Sequence, residues 1–217
     1  MANNIWLLRH GDTSWTRAQR HTGRQDVPLS RSGRAQARRV GLALTGRSFA
    51  HVLVSPQSRA LETCRLVGQA DAAEVSEDLM EWDYGDYEGL TDAETEERAP
   101  GWNLFRDGCP GGESPAQVWS RVQRVLELVG SLEGPCLVVS HGKLLRALAA
   151  AWLNAEITLG DLLPLDPAAV SLLEREGPRP LLRLWNLTPS LIRAESLVDA
   201  VAIGAAPDPS SIIAPPD

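Results

Sequence analysis

The chain has 217 residues, 43% of them hydrophobic and 23% charged, which suits one globular domain of roughly 50–250 residues and excludes a disordered or fibrous chain. A formal net charge of -7 opposes binding to nucleic acid or to anionic membranes, because both reward a positive surface field. Any anion site must then be a local basic pocket.

At the N-terminus the apolar run Ile5 to Leu8 is broken by Arg9-His10, short of the roughly 7–15 apolar residues of a secretion signal. It reads as a buried strand that ends abruptly in polar residues. No run approaches the roughly 20 apolar residues of a membrane span. Cys64, Cys109 and Cys136 are odd in number, far apart and in no C-x-x-C arrangement. Neither a disulfide framework nor a structural zinc site is expected, and a reducing, cytoplasmic setting fits.

After a loop, Ser30 is placed to cap a helix that continues through Ala35 to Leu44. Val52 to Val54 forms a second strand, and Ser55-Pro56 is expected to open a helix to about Gly68 with Pro56 in its first turn. Residues 89–114, rich in Gly, Pro and acidic side chains, form a connecting region with one short helix over Asp92 to Arg98. A longer helix follows from Pro115 to about Leu132. Cys136 to Val139 is a third strand, ending at Ser140-His141-Gly142, and Leu144 to Leu153 has strong helix propensity. Leu181 to Leu187 is a late strand. From Ala194 the chain turns Ala/Pro/Ser-rich, so residues 1–193 are expected to form one catalytic domain and 194–217 a flexible tail. Alternating strands and helices predict an α/β fold with a largely parallel sheet covered by helices.

In such a sheet ligands bind beyond the carboxyl ends of the strands. Three of those ends carry basic groups: Arg9-His10-Gly11, then Arg59 in the turn after the second strand, then His141-Gly142. Two arginines and two histidines converging on one edge make an anion pocket suited to phosphate, since the guanidinium fork matches phosphate oxygens. Gly11 and Gly142 let the backbone turn sharply and approach a ligand.

Leu-Leu-Arg-His-Gly-Asp-Thr, Thr22-Gly23, Ser55-Pro56, Arg59-Ala60, Thr63, Glu81, Gly85, Glu88-Gly89 and Ser140-His141-Gly142, in this order, resemble the histidine phosphatase superfamily in its phosphoglycerate-mutase-like branch. Glu81-Trp-Asp-Tyr-Gly and Gly108-Cys-Pro-Gly-Gly-Glu-Ser are most similar to small acid phosphatases of that branch. The resemblance implies a three-layer α/β/α sandwich and hydrolysis of a small phosphorylated molecule without a metal or other cofactor. It implies that His10 attacks phosphorus, that Arg9, Arg59 and His141 hold the phosphoryl oxygens, and that Glu81 protonates the leaving oxygen. Thr22 and Gly23 would offer backbone amides, and Gly142 would border the phosphate. Thr16 stands where many members have Asn, a shorter side chain without an amide; Lys143 follows His141-Gly142 as a second departure. Such chemistry is mainly positioning and electrostatic stabilisation. Glu81 has to give and then take a proton, which predicts surroundings that hold its pKa near working pH.

Other features have plainer readings. His21 and His51 are expected to be structural, the cluster Arg31, Arg34, Arg38 and Arg39 to be a solvated helix face, and the seven tryptophans to be core or pocket-wall residues. A phosphoglycerate mutase is the nearest alternative, but between Glu81 and His141 the only cations are Arg98, Arg106, Arg121 and Arg124, with no adjacent pair to hold a second anion. A non-catalytic phospholigand-binding module would be expected to lack His10, Glu81 or His141. The expected partner is a small phosphorylated substrate rather than nucleic acid or a membrane, with a homodimer left open.

Overall fold

A computed structural model of the chain describes residues 4–191, so the expected boundary at 193/194 and the tail beyond it lie outside the described residues. The first strand, β1 (Asn4–Arg9), leads through a short helix α1 (Ser14–Arg17) to α2 (Arg31–Ala43), then β2 (His51–Val54), α3 (Ser58–Leu66) and a short β3 (Ala73–Val75). Three helices follow, α4 (Asp92–Arg98), α5 (Leu104–Asp107) and α6 (Pro115–Ser131), before β4 (Cys136–Ser140), α7 (Gly142–Trp152), β5 (Val170–Glu176) and β6 (Arg179–Leu187).

The strands form one six-stranded sheet in the order β3-β2-β4-β1-β5-β6. Pairings among β3, β2, β4 and β1 are parallel, whereas β5 and β6 run antiparallel. Side chains alternate across a strand, and both faces are covered. Ile5 and Leu7 join Val138 and Cys136 in a core closed by α5, α6 and α7; Trp6 and Leu8 join Val52, Val54 and Val139 in a core closed by α2 and α3. This is why the central strands read as continuous apolar runs, and each fully buried Leu or Val in them contributes about 1.5–3 kcal/mol. The three-layer α/β/α fold is the expected one.

Local chemistry sets the helix starts. Ser30 Oγ accepts the Gly33 N–H at 3.0 Å, and Thr91 with Glu94 and Ser114 with Gln117 form capping boxes at α4 and α6, the latter with Pro115 in the first turn. Pro56 does not open α3. Gln57 is still extended (φ -69°, ψ 137°) and its side chain makes no cap, because it is committed to Gly23 O at 2.7 Å and the Glu81 N–H at 3.1 Å. The sheet is also less parallel than alternation suggests, since β5 and β6 are joined by a tight turn through Gly177 and can only run antiparallel. Among the described residues, no helix is long and apolar enough to cross a membrane.

Candidate active site

Parallel register places Arg9 beside Ser140, so the residues that follow β1 and β4 emerge together. His10 and His141 meet edge to face, with ring centroids 5.1 Å apart, and the His10 N–H donates to Ser140 O at 2.9 Å. The loop after His10 sits tight against α2. A Cβ on Gly11 would lie 2.4 Å from Gly33 O, and one on Gly33 would lie 2.1 Å from Asp12 O. Gly11 therefore serves backbone-to-backbone packing, a different reason from the close ligand approach expected of it.

The protonation geometry of His10 follows from the hydrogen bond its ring makes. Nδ1 lies 2.7 Å from Gly11 O; a carbonyl can only accept, so Nδ1 carries the hydrogen and Nε2 keeps its lone pair. Burial, reinforced by the positive fields of Arg59 and Arg9, holds the His10 pKa well below the usual histidine value, against a weaker opposing pull from the Gly11 carbonyl. His10 is thus a neutral imidazole whose Nε2 carries the free lone pair. His141 has the opposite tautomer. Its Nδ1 accepts from Arg59 Nε at 3.2 Å, so Nε2 donates to Ser55 Oγ at 2.7 Å. Its pKa too lies well below normal, through burial first and then Arg59.

A pocket of about 250 Å³ opens over His10 and is lined by Arg9, Thr16, Thr22, Glu81 and Gly142 from the expected set, together with Lys143 and His21. Arg9 reaches it past Gly142, where a Cβ would stand 3.2 Å from the guanidinium. Its Nη1 donates to Leu165 O, while its Nε is buried without a hydrogen-bond partner among the described residues. A buried donor left unpaired is costly, and an anion in the pocket would satisfy it.

Arg59 and His141 are not among the residues that line the pocket; both are fully buried, with His141 against the His10 ring and Arg59 against His141. Arg59 donates to His141 Nδ1, to Gln25 O at 2.9 Å and to Gly23 O at 2.9 Å, which engages three of its five N–H groups. Gly23 also departs from expectation: its N–H is taken by Glu88 Oε1 at 2.7 Å. Thr16 is at the pocket, with its hydroxyl engaged in the α1 capping box with Thr13 and in a 3.2 Å bond to Asp12 Oδ1.

Glu81 is buried at the N-terminus of α7. Its Oε1 accepts from the N–H groups of Trp82 and Leu144, both at 2.9 Å, and Oε2 from that of Lys143 at 3.0 Å. Two of these three donors belong to the positive N-terminal end of α7. Asp83 and Glu113, the neighbouring carboxylates, are absent from the pocket lining. Glu113 is clamped by Arg121 at 2.7 and 2.8 Å.

Several pocket residues were not foreseen. Gln19, Arg20, Tyr84, Asp92, Arg146 and Leu165 line it, delivered by loops and helix faces that no strand-end rule identifies. His21, expected to be structural, both stacks on Tyr84 at 4.7 Å between ring centroids and lines the pocket. Lys143 points inward; burial and then Arg146 lower its pKa to about 8. Gln57, bonded to Gly23 O and the Glu81 N–H, fixes two walls at once. Among the described residues, no three or more His, Cys, Asp or Glu side chains are grouped to hold a metal ion.

A family model of the histidine phosphatase superfamily (branch 1) matches residues 5–188. An acid phosphatase from Mycobacterium tuberculosis is 38% identical over 176 residues, covering 78% of this chain and 85% of that protein. A 2,3-bisphosphoglycerate-dependent phosphoglycerate mutase from Mesorhizobium japonicum is 35% identical over 168 residues, 70% of this chain and 82% of its own. The solved structure of an open reading frame product from Mycobacterium tuberculosis superposes with a TM-score of 0.82 at 35% identity, covering 87% of this chain and 100% of that one.

Proposed function

Because the chain belongs to the histidine phosphatase superfamily, branch 1, and is a phosphatase, we propose that it hydrolyses a small phosphate monoester through a phosphohistidine formed on His10. The observation that carries this reading is the His10 Nδ1 to Gly11 O contact at 2.7 Å, which leaves Nε2 unprotonated in a pocket walled by cations. Nε2 attacks phosphorus, the ester P–O bond breaks, and Glu81 transfers a proton to the departing alkoxide. Water then attacks the phosphohistidine, Glu81 takes its proton, and the P–N bond breaks to release phosphate. Splitting one displacement into two lowers each barrier.

Arg9 is the direct phosphoryl ligand in this proposal, with Arg20, Lys143 and Arg146 supplying positive charge at the rim. Arg59 and His141 act from behind, one by its charge and the other by setting the His10 ring. Thr16, Thr22 and Gly142 border the phosphate. The reaction is metal-independent, since these side chains neutralise the developing charge that a cation would otherwise meet. A reducing, cytoplasmic location is supported by Cys64, Cys109 and Cys136, all buried and unpaired, their thiol pKa values pushed by burial to about 11, 12 and 12. Nucleic acid and membranes are not partners in this reading, given the net charge of -7.

His10→Ala is expected to abolish hydrolysis of p-nitrophenyl phosphate while far-UV circular dichroism stays unchanged. Comparable turnover by a correctly folded variant would reassign the nucleophile.

A further inference from the structure

A second pocket of about 230 Å³ adjoins the first and shares His21, Tyr84, Asp92 and Lys143 with it. The sign of the charge reverses across Lys143. On the His10 side Arg9, Arg20, Lys143 and Arg146 outnumber Glu81 and Asp92; on the far side Asp92, Glu96 and Asp161 face the same lysine. We propose that this second pocket receives the leaving group, and that it selects monophosphate esters of neutral polyhydroxylated alcohols over esters carrying a second anionic group. The inference rests on phosphate occupying the His10 side, where the unpartnered Arg9 Nε lies.

The walls suit hydroxyl groups. Trp102 is locked by its Nε1–H to Gly108 O at 2.7 Å and by an edge contact to Tyr87 with centroids 5.1 Å apart, so it offers a fixed apolar surface to a C–H face. Glu96 is held by the Gly101 N–H at 3.0 and 3.1 Å, and Asp161 by Asn103 Nδ2 at 2.7 Å. Each carboxylate keeps acceptor capacity beyond these bonds, and a hydroxyl can donate to it. A second phosphate or a carboxylate there would have to approach Asp92, Glu96 and Asp161, offset only in part by Lys143 and by the 3.5 Å contact of Arg146 with Asp161, a like-charge juxtaposition of the kind by which sites reject wrong partners.

Matched pairs test this: fructose 6-phosphate against fructose 1,6-bisphosphate, and glucose 6-phosphate against 6-phosphogluconate. The neutral member is expected to have the higher kcat/KM by about tenfold or more. Glu96→Gln, which leaves the Arg146 contact of Asp161 intact, should narrow that ratio several-fold, with circular dichroism and hydrolysis of p-nitrophenyl phosphate reporting fold and phosphate site separately. A preference for the anionic members, equal values, no turnover of either pair beside active aryl phosphate hydrolysis, or an unchanged ratio in a folded variant overturns the inference. Wild-type protein inactive on the aryl phosphate as well would overturn the catalytic reading and the inference with it.

Discussion

Glu81 carries two jobs that one substitution separates. As the acceptor of three main-chain N–H groups it closes the start of α7, and as the proposed acid it serves the leaving oxygen. Glu81→Gln keeps the size, loses the proton and turns one acceptor into a donor against a main-chain N–H. The phosphorylation rate in single turnover should fall about 10²–10⁴-fold for an alkyl phosphate and far less for an aryl phosphate, with about 0.5–2 kcal/mol of stability lost as for a removed cap. Equal fractional losses on both substrates would remove Glu81 from the acid role. Lys143 offers a pH test. Burial and Arg146, with a smaller contribution from Arg9, lower its pKa to about 8 against the opposing pull of Glu81 and Asp92. Lysine is charged below its pKa, so the pocket loses a cation as pH rises through about 8 and KM should climb there. In Lys143→Met, KM should be higher at pH 7 and flat across that range; a wild-type KM flat from pH 7 to 9 would refute the assignment. His10, whose pKa lies well below the usual histidine value, is expected as the proposed nucleophile to keep its Nε2 lone pair available into the acid range.

Between α2 and the loop after β1, and within α6, one chemical change has opposite outcomes. Gly33→Ala would gain up to about 1 kcal/mol in helix propensity. Its Cβ would nevertheless lie 2.1 Å from Asp12 O, a main-chain atom that no rotamer change can move. Overpacking costs about 1–3 kcal/mol, so the variant should unfold earlier in urea and, with the His10 loop displaced, lose kcat. Gly130, in the last turns of α6, has nothing within 4 Å of its would-be Cβ. Gly130→Ala should stabilise by about 0.4–1 kcal/mol with activity unchanged. Denaturant midpoints of the two variants, measured side by side, check both signs. The glycine signal at position 11 was legible in sequence, but its partner at 33, buried within an arginine-rich helix start, had no signature without the packing.

The whole molecule buries three imidazoles that resist protonation: His10, His141 and His21 all have lowered pKa values, each first through burial. In the unfolded chain these groups titrate near 6.5. Below that pH the unfolded state binds protons that the folded state does not, so stability rises with pH there and falls as pH drops from about 6.5 toward 5. Thermal unfolding should show a lower Tm at pH 5 than at pH 7.5 at equal ionic strength, and His21→Asn should lessen the difference. A Tm independent of pH across this window would mean that the rings protonate within the fold.

Periodicity and residue type were enough to place the strands at Ile5, Val52 and Cys136, the helices at Pro115 and Leu144, and the ordered motifs at Arg9-His10, Arg59, Glu81 and His141. These signals are local, because apolar runs buried on both faces and capping residues act within a few positions of themselves. Short β3, with two of its three residues exposed, and β5, which continues into charged Glu174, Arg175 and Glu176, carry weak local patterns and exist because neighbouring strands pair with them. The contacts around His10 were likewise decided only in three dimensions. Arg59 and His141 have the residue types of phosphate ligands, and only the packing reveals that both are fully buried next to His10 and bonded to Gly23, Gln25 and Ser55. Arg20, Asp92, Lys143 and Arg146 gather into one pocket wall from separate parts of the chain. Sequence by itself determined the chemistry available at the sheet edge; which groups meet the ligand depended on burial and long-range packing, which no local pattern encodes.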